Sequence, residues 1–248
     1  MISELPQFYN SLISLDNTPF DYQLTSVPQE NCEYIWKLIR KKRYRNTIEI
    51  GCALGVSSLY ICDAISQFNN PFHTIIDPKQ ESDWHNIGIR NLQKHDLDFF
   101  NLIEEPSELA LPKLLEQKYI FDMAFIDGWH TFDHALVDFF YLSRMIKVGG
   151  IIVFDDATWN SISKLIRYIS NYPAYKTLLP PVEPLSTFRQ KLFHFLCMGA
   201  KFIPLTIRSE IFSERVILEQ IRKQKYPRIV GLMKVSDDTR MFDWYAPF

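Results

Sequence analysis

The chain has 248 residues with 27 basic and 29 acidic side chains, a formal net charge of −2, and 47% hydrophobic against 23% charged residues. This composition argues against disorder, and the near-neutral charge removes a general affinity for nucleic acid. The length suits a single α/β domain with elaborations. Glycine is scarce, with eight residues where ordinary usage would give about 17. Each is therefore expected where only glycine fits.

Residues 1–10 carry Glu4, no basic start and no following apolar run, which argues against a secretory signal. Residues 1–25 read as an irregular lead-in. Ser26 is the expected N-cap of the first helix, with Pro28 in its first turn and Gln29 at the capping-box position. Cys32, Ile35, Trp36 and Ile39 recur at helical spacing and predict its buried face. The basic cluster from Arg40 to Arg45 complements the helix C-terminus.

Short β-rich runs then alternate with helical stretches. Strands are predicted at 47–50, 72–76, 99–103, 121–126 and 150–154, and helices at 56–67, 84–94, 107–118, 132–146 and 161–170. Continuous apolar runs such as Met123, Ala124, Phe125 and Ile126 suit a parallel sheet covered on both faces. Serial β-α units imply a doubly wound, mostly parallel sheet, with ligands at the carboxyl ends of its strands. Residues 180–226 read as an aromatic and basic insertion, and 228–235 as a last strand returning to the sheet edge. From 171 to 228 there are ten Lys and Arg against four Glu. The chain thus divides into a lead-in and helix (1–45), a core (46–170), a variable segment (171–227), and a final strand and tail (228–248).

The run Phe193 to Pro204 is broken by His194 and Lys201, too short and polar to cross a bilayer. Its start, Phe193 to Met198, suits weak docking on a membrane surface. Cys32, Cys52, Cys62 and Cys197 form no CxxC pair and read as reduced core thiols of a cytoplasmic protein.

The first strand runs through Glu49 and Ile50 into Gly51, Cys52, Ala53, Leu54 and Gly55. A dinucleotide fingerprint would place glycine at Ala53, where backbone must approach a pyrophosphate. Glu49 adds negative charge near the turn, which favours a cationic ligand. An acid followed by x-Gly-x-x-x-Gly resembles the first motif of the Rossmann-like S-adenosylmethionine-dependent methyltransferases. The resemblance implies that Glu49, Gly51 and Gly55 face the cofactor's methionine part. It also implies that Asp77, ending the second strand, binds the ribose diol, a fitting partner for a carboxylate. After the third strand, Glu105 falls at the family's adenine contact, while Ser107 reads as a helix N-cap.

The fourth strand ends in Asp127, Gly128, Trp129 and His130, and the fifth in Asp155 and Asp156. Three carboxylates at neighbouring strand ends are costly unless compensated, and a hard divalent cation such as Mg²⁺ compensates them. This segment resembles the metal-dependent O-methyltransferases of the macrocin and catechol type. The resemblance, spanning about residues 45–160, implies that Asp127, Asp155 and Asp156 hold the ion. It places Asp127 at the cofactor site too, and makes His130 the base. An imidazole with an ordinary pKa near 6.5 suits that task. Asp133 and His134 are candidate partners of His130; Asp138 and Arg144 read as surface or structural ions.

The expected function is methylation of a small hydroxylated acceptor, a sugar or other polyol, with an anionic or lipid-linked acceptor compatible with the basic segment. That segment also suits a contact in a homo-oligomer. No nucleic-acid partner and no transmembrane segment are expected. The rivals are a metal-independent methyltransferase, an NAD- or nucleotide-sugar-binding oxidoreductase, and a non-catalytic binding protein. The resemblance implies an antiparallel last strand on the sheet.

Overall fold

The computed structural model describes residues 6, 8–12, 26–178 and 228–245. Most of the lead-in, Cys197, Gly199 and the whole 180–226 segment, with its Phe193–Met198 run, lie outside the described residues.

Helix α1 (Gln29–Lys42) buries Cys32, Ile35, Trp36 and Ile39, as their spacing predicts. Ser26 is not its N-cap. Pro28 holds that position with no side-chain cap bond, and Gln29 donates instead to Glu33 one turn on. Proline serves well there because its fixed φ suits the helix start and it has no amide to satisfy. Arg43 ends the helix in the left-handed region, its amide donating to the Ile39 carbonyl.

Strands β1 (Asn46–Ile50), β2 (Phe72–Ile76), β3 (Phe100–Ile103), β4 (Phe121–Ile126) and β5 (Ile146–Phe154) alternate with helices. These are α2 (Val56–Ser66), α3 (Ile87–Lys94), α4 (Ser107–Glu116), α5 (Phe132–Met145) and α6 (Asn160–Ile169). Strands β6 (Tyr175–Leu178) and β7 (Val230–Lys234) complete a seven-stranded sheet of order β3-β2-β1-β4-β5-β7-β6. The first five strands are mutually parallel, and β7 is antiparallel to both its neighbours. This is the expected doubly wound, mostly parallel sheet with an antiparallel last strand. One detail differs. The last strand does not lie at the edge, because β6, which has no strong sequence signal, pairs outside it.

Alternation along the strands divides the core between two faces. Ile48, Ile50, Ala124, Ile126 and Phe154 pack with Leu111, Phe139 and Leu165 on the α4–α5–α6 face. Met123, Phe125, Ile75 and Val153 pack with Ile39, Leu59 and Ile61 on the α1–α2 face. The chain order reverses between β1 and β4, where a crevice opens beyond the strand ends.

Candidate active site

A cavity of about 700 Å³ lies at this reversal, lined by Gly51, Ala53 and Asp77 of the first turns and by Asp127, His130 and Asp156. Backbone sterics build its floor. Gly51 (φ +86°) leaves no room for a side chain, since a Cβ there would lie 2.2 Å from the Asp127 carbonyl oxygen. Gly55 (φ +77°) is pressed against Gly88, the start of α3, with only 2.7 Å between its hypothetical Cβ and the Gly88 carbonyl oxygen. Gly88 thereby gains a reason that sequence spacing alone does not supply.

Asp77 ties the turn together. Its Oδ2 accepts from the amides of Cys52 (3.0 Å) and Ala53 (2.8 Å) and from Gln80 Nε2 (2.9 Å), and its Oδ1 from the Lys79 amide (2.9 Å). Gln80 also donates to the Ala53 carbonyl at 2.8 Å, a buried contact without a motif to announce it.

Glu49 sits beneath the turn and is 0% exposed. Its carboxylate accepts from the hydroxyls of Ser57 and Ser58 and lies 3.3 Å from His73 Nε2, while His73 Nδ1 meets the Thr47 hydroxyl at 2.9 Å. Glu49 therefore braces the turn from inside the protein and is absent from the cavity wall. Glu105 is not at the cavity either. Its carboxylate pairs with Lys113 at 2.5 Å, and the wall there is Pro106, Ser107 and Glu108. Ser107 opens α4 but makes no capping bond; Pro106 is the N-cap residue.

Beyond β4 and β5, His130 Nε2 lies 3.4 Å from Asp127 Oδ1 and 3.3 Å from Asp156 Oδ2, yet it makes no aligned hydrogen bond. Donor atoms of Asp127, His130 and Asp156 all fall within 4.8 Å of one another. Asp155 lies outside this group. It is 1% exposed, its Oδ2 is 3.1 Å from an Arg228 guanidinium nitrogen, and its Oδ1 is buried without a partner. The same Arg228 nitrogen lies 2.7 Å from Asp156 Oδ1. Asp156 adopts φ +47°, a strained value for a non-glycine residue, which its neighbours over-determine.

Burial pushes the Asp127 and Asp155 carboxyls above the usual range, and neighbouring carboxylates add to it, while His130 and Arg228 respectively pull the other way. Burial alone would lower the His130 pKa, but the adjacent Asp127 and Asp156 outweigh it and raise it. Arg228 is likewise desolvated, yet Asp155, Asp156 and Asp127 hold it more firmly charged than usual.

The loop after β4 is anchored by Ser161 Oγ donating to the His130 carbonyl at 2.6 Å, and the His130 ring lies 5.1 Å from that of Trp159. Trp129 lines the cavity and is 69% exposed. His134 engages Thr131 and Asp133. Asp138 is not a surface ion: it is buried on α5 with both carboxylate oxygens unpaired. Arg144 is structural, lying over the Phe140 ring and donating to its carbonyl. Arg228, Gln80 and His73 are the site-building residues that motif reading missed. Arg228 looked like one more charge in a basic run.

Residues 48–157 match the family described as a methyltransferase domain. Over these residues the chain is similar to a methyltransferase domain. The match spans the glycine turn, Asp77, Asp127, His130 and the acidic pair. The chain is similar to tapetum-specific methyltransferase 1 of Arabidopsis thaliana, 31% identical over 135 residues, covering 54% of this chain and 55% of that protein. It is also similar to the caffeoyl-CoA O-methyltransferase of Mesembryanthemum crystallinum, 25% identical over 171 residues, 61% of this chain and 62% of the other. It thus spans somewhat over half the length of these relatives. The methyltransferase fold is shared with the O-methyltransferase from Bacillus cereus in complex with SAH, at 19% identity, TM-score 0.55, and coverage of 63% and 76%. The O-methyltransferase TomG from Streptomyces achromogenes in complex with SAM gives 16%, 0.54, 63% and 75%.

Proposed function

We propose that this chain transfers the methyl group of S-adenosylmethionine to a hydroxyl oxygen of a small acceptor, a sugar or other polyol. The observation that carries this reading is the convergence of Asp127, His130 and Asp156 in the cavity that the glycine turn also lines. In the transfer, an oxygen lone pair forms the new O–C bond and the S–C bond breaks, its electron pair passing to sulfur. The sulfonium becomes a neutral thioether, and His130 takes the hydroxyl proton at Nε2. The Asp127 and Asp156 carboxylates stabilise the imidazolium that results. The turn from Gly51 to Gly55, braced by Glu49 and Asp77, orients the cofactor, and proximity supplies much of the remaining acceleration.

The donor set fits a divalent cation. Two carboxylates within 4.8 Å of one another offer hard oxygen ligands, and the buried Asp155 Oδ1 lacks any partner. Asp127 and Asp156 would hold such an ion, which would lower the pKa of the acceptor hydroxyl. The Arg228 ion pairs favour a second reading, metal-independent transfer, because they already offset part of the negative charge.

Calorimetric titration with S-adenosylmethionine and with NAD tests the central reading. Binding of the former alone supports it; binding of NAD alone overturns it. With a methyl donor and a panel of sugars and polyols, loss of turnover in chelator and recovery on adding Mg²⁺ support the metal reading. Chelator-insensitive turnover supports the second reading.

A further inference from the structure

Arg228 is held where it can act on the acidic pair. Its carbonyl accepts the Ala157 amide at 2.9 Å, so the backbone just before β7 is tied to the loop just after Asp156. One guanidinium nitrogen then bridges two carboxylates, Asp155 Oδ2 at 3.1 Å and Asp156 Oδ1 at 2.7 Å. Asp156 is divided by this arrangement. One of its oxygens faces Arg228, while the other faces His130 and the group of cation donors.

Asp155 receives no such second engagement. Its Oδ1 is buried and unpartnered, a state that costs free energy in a low-dielectric site. A buried carboxylate oxygen left unpaired one residue before the cation donor Asp156 is a ligand not in use. Arg228 holds the same carboxylate by its other oxygen, Oδ2.

We infer that Arg228 is a resident countercharge that competes with a divalent cation for the acidic pair and keeps Asp155 out of the ion's ligand set. The inference rests on the metal reading proposed above. Its consequence is a protein that tolerates three clustered aspartates without metal and binds a divalent ion only weakly. The two positive charges approach the same carboxylates, so each lowers the affinity of the site for the other. Removing the guanidinium frees Asp155 and removes the repulsion together.

Isothermal titration of the full chain with Mn²⁺, in the absence of acceptor, tests this through a double-mutant cycle. The expected result is that Arg228→Gln binds Mn²⁺ at least about tenfold more tightly than the native protein. Arg228→Lys, which keeps the charge, should stay within about threefold of native affinity. Asp155→Asn should leave native affinity unchanged within about twofold, yet diminish the gain when combined with Arg228→Gln, leaving the part due to lost repulsion. Circular dichroism checks that each variant is folded. Unchanged or weaker binding by folded Arg228→Gln overturns the inference, as does a gain that Asp155→Asn leaves undiminished. If Arg228→Gln does not fold, Asp155→Asn alone decides: a tenfold loss in the otherwise native chain shows Asp155 already ligating and overturns the inference. Absence of Mn²⁺ binding in native protein and Arg228→Gln alike overturns the metal reading itself, a distinguishable result.

Discussion

Asp77 and Ala53 are joined by a 2.8 Å hydrogen bond from the alanine amide to the aspartate Oδ2, so the acid ending β2 holds the turn that ends β1. The same oxygen also accepts from Cys52 and Gln80. Asp77→Asn would set an amide N–H against those donors or leave some of them unpaired. Loss of charge-assisted bonds of this kind costs about 1.5–3 kcal/mol. We expect a matching fall in stability by urea denaturation and at least a tenfold weaker affinity for S-adenosylmethionine by calorimetry.

Gly55 and Gly88 meet backbone to backbone, and Gly55 stands at φ +77°. Gly55→Ala brings a Cβ into backbone in a strained conformation, for which about 1–3 kcal/mol is the expected loss. Gly88→Ala crowds the Ala53 carbonyl at 2.7 Å and the Cys52 sulfur at 2.8 Å, and so strains the same turn from the α3 side. Because the two residues touch, the double variant should lose less than the sum of the singles. Equilibrium unfolding of all three proteins reads this coupling.

Asp138 gives a pH-dependent prediction. Burial, with the negative charge of Glu108 adding to it, pushes its carboxyl up to about 6, while Ser107 and His134 act the other way. The folded protein therefore binds this proton more tightly than the unfolded chain, whose ordinary value is about 3.9. The group carries no penalty below about pH 4. As pH rises from about 4 to about 6 the penalty grows, reaching at most about 3 kcal/mol above that. Asp138→Asn should accordingly gain stability at pH 7.5 relative to its effect at pH 4.5, by about 2 kcal/mol. Urea denaturation of both proteins at the two pH values measures the difference.

His130 has its own discriminating result. If His130 acts as the proposed base, His130→Ala should reduce turnover by about 10²–10⁴ while leaving S-adenosylmethionine affinity within about twofold. Equal losses in both would assign it a structural role. Asp127→Asn, by contrast, should weaken Mn²⁺ binding in calorimetry as well as turnover.

Much of the architecture was legible because parallel strands buried on both faces write themselves as short apolar runs, and β4 matches its predicted limits at residues 121–126. Helix α1 was equally clear in its buried face and wrong in its cap, since Ser26 and Pro28 both carry start signals and only geometry chooses between them. Strand β6 was missed because an edge strand of four residues, only partly buried, has little pattern to show.

For the site, local spacing determined that glycines, acids and a histidine would fall at the ends of β1, β2, β4 and β5, because a carboxylate after an apolar strand is a one-dimensional signal. What those groups do to one another was decided by the tertiary structure. Only folding turned Glu49 inward to Ser57, Ser58 and His73, sent Glu105 to Lys113, and brought Arg228 from 72 residues beyond Asp156 onto the acidic pair. Side-chain direction depends on which partner satisfies a charge, and the partners here lie on other elements: Ser57 and Ser58 on α2, His73 on β2, Lys113 on α4 and Arg228 just before β7.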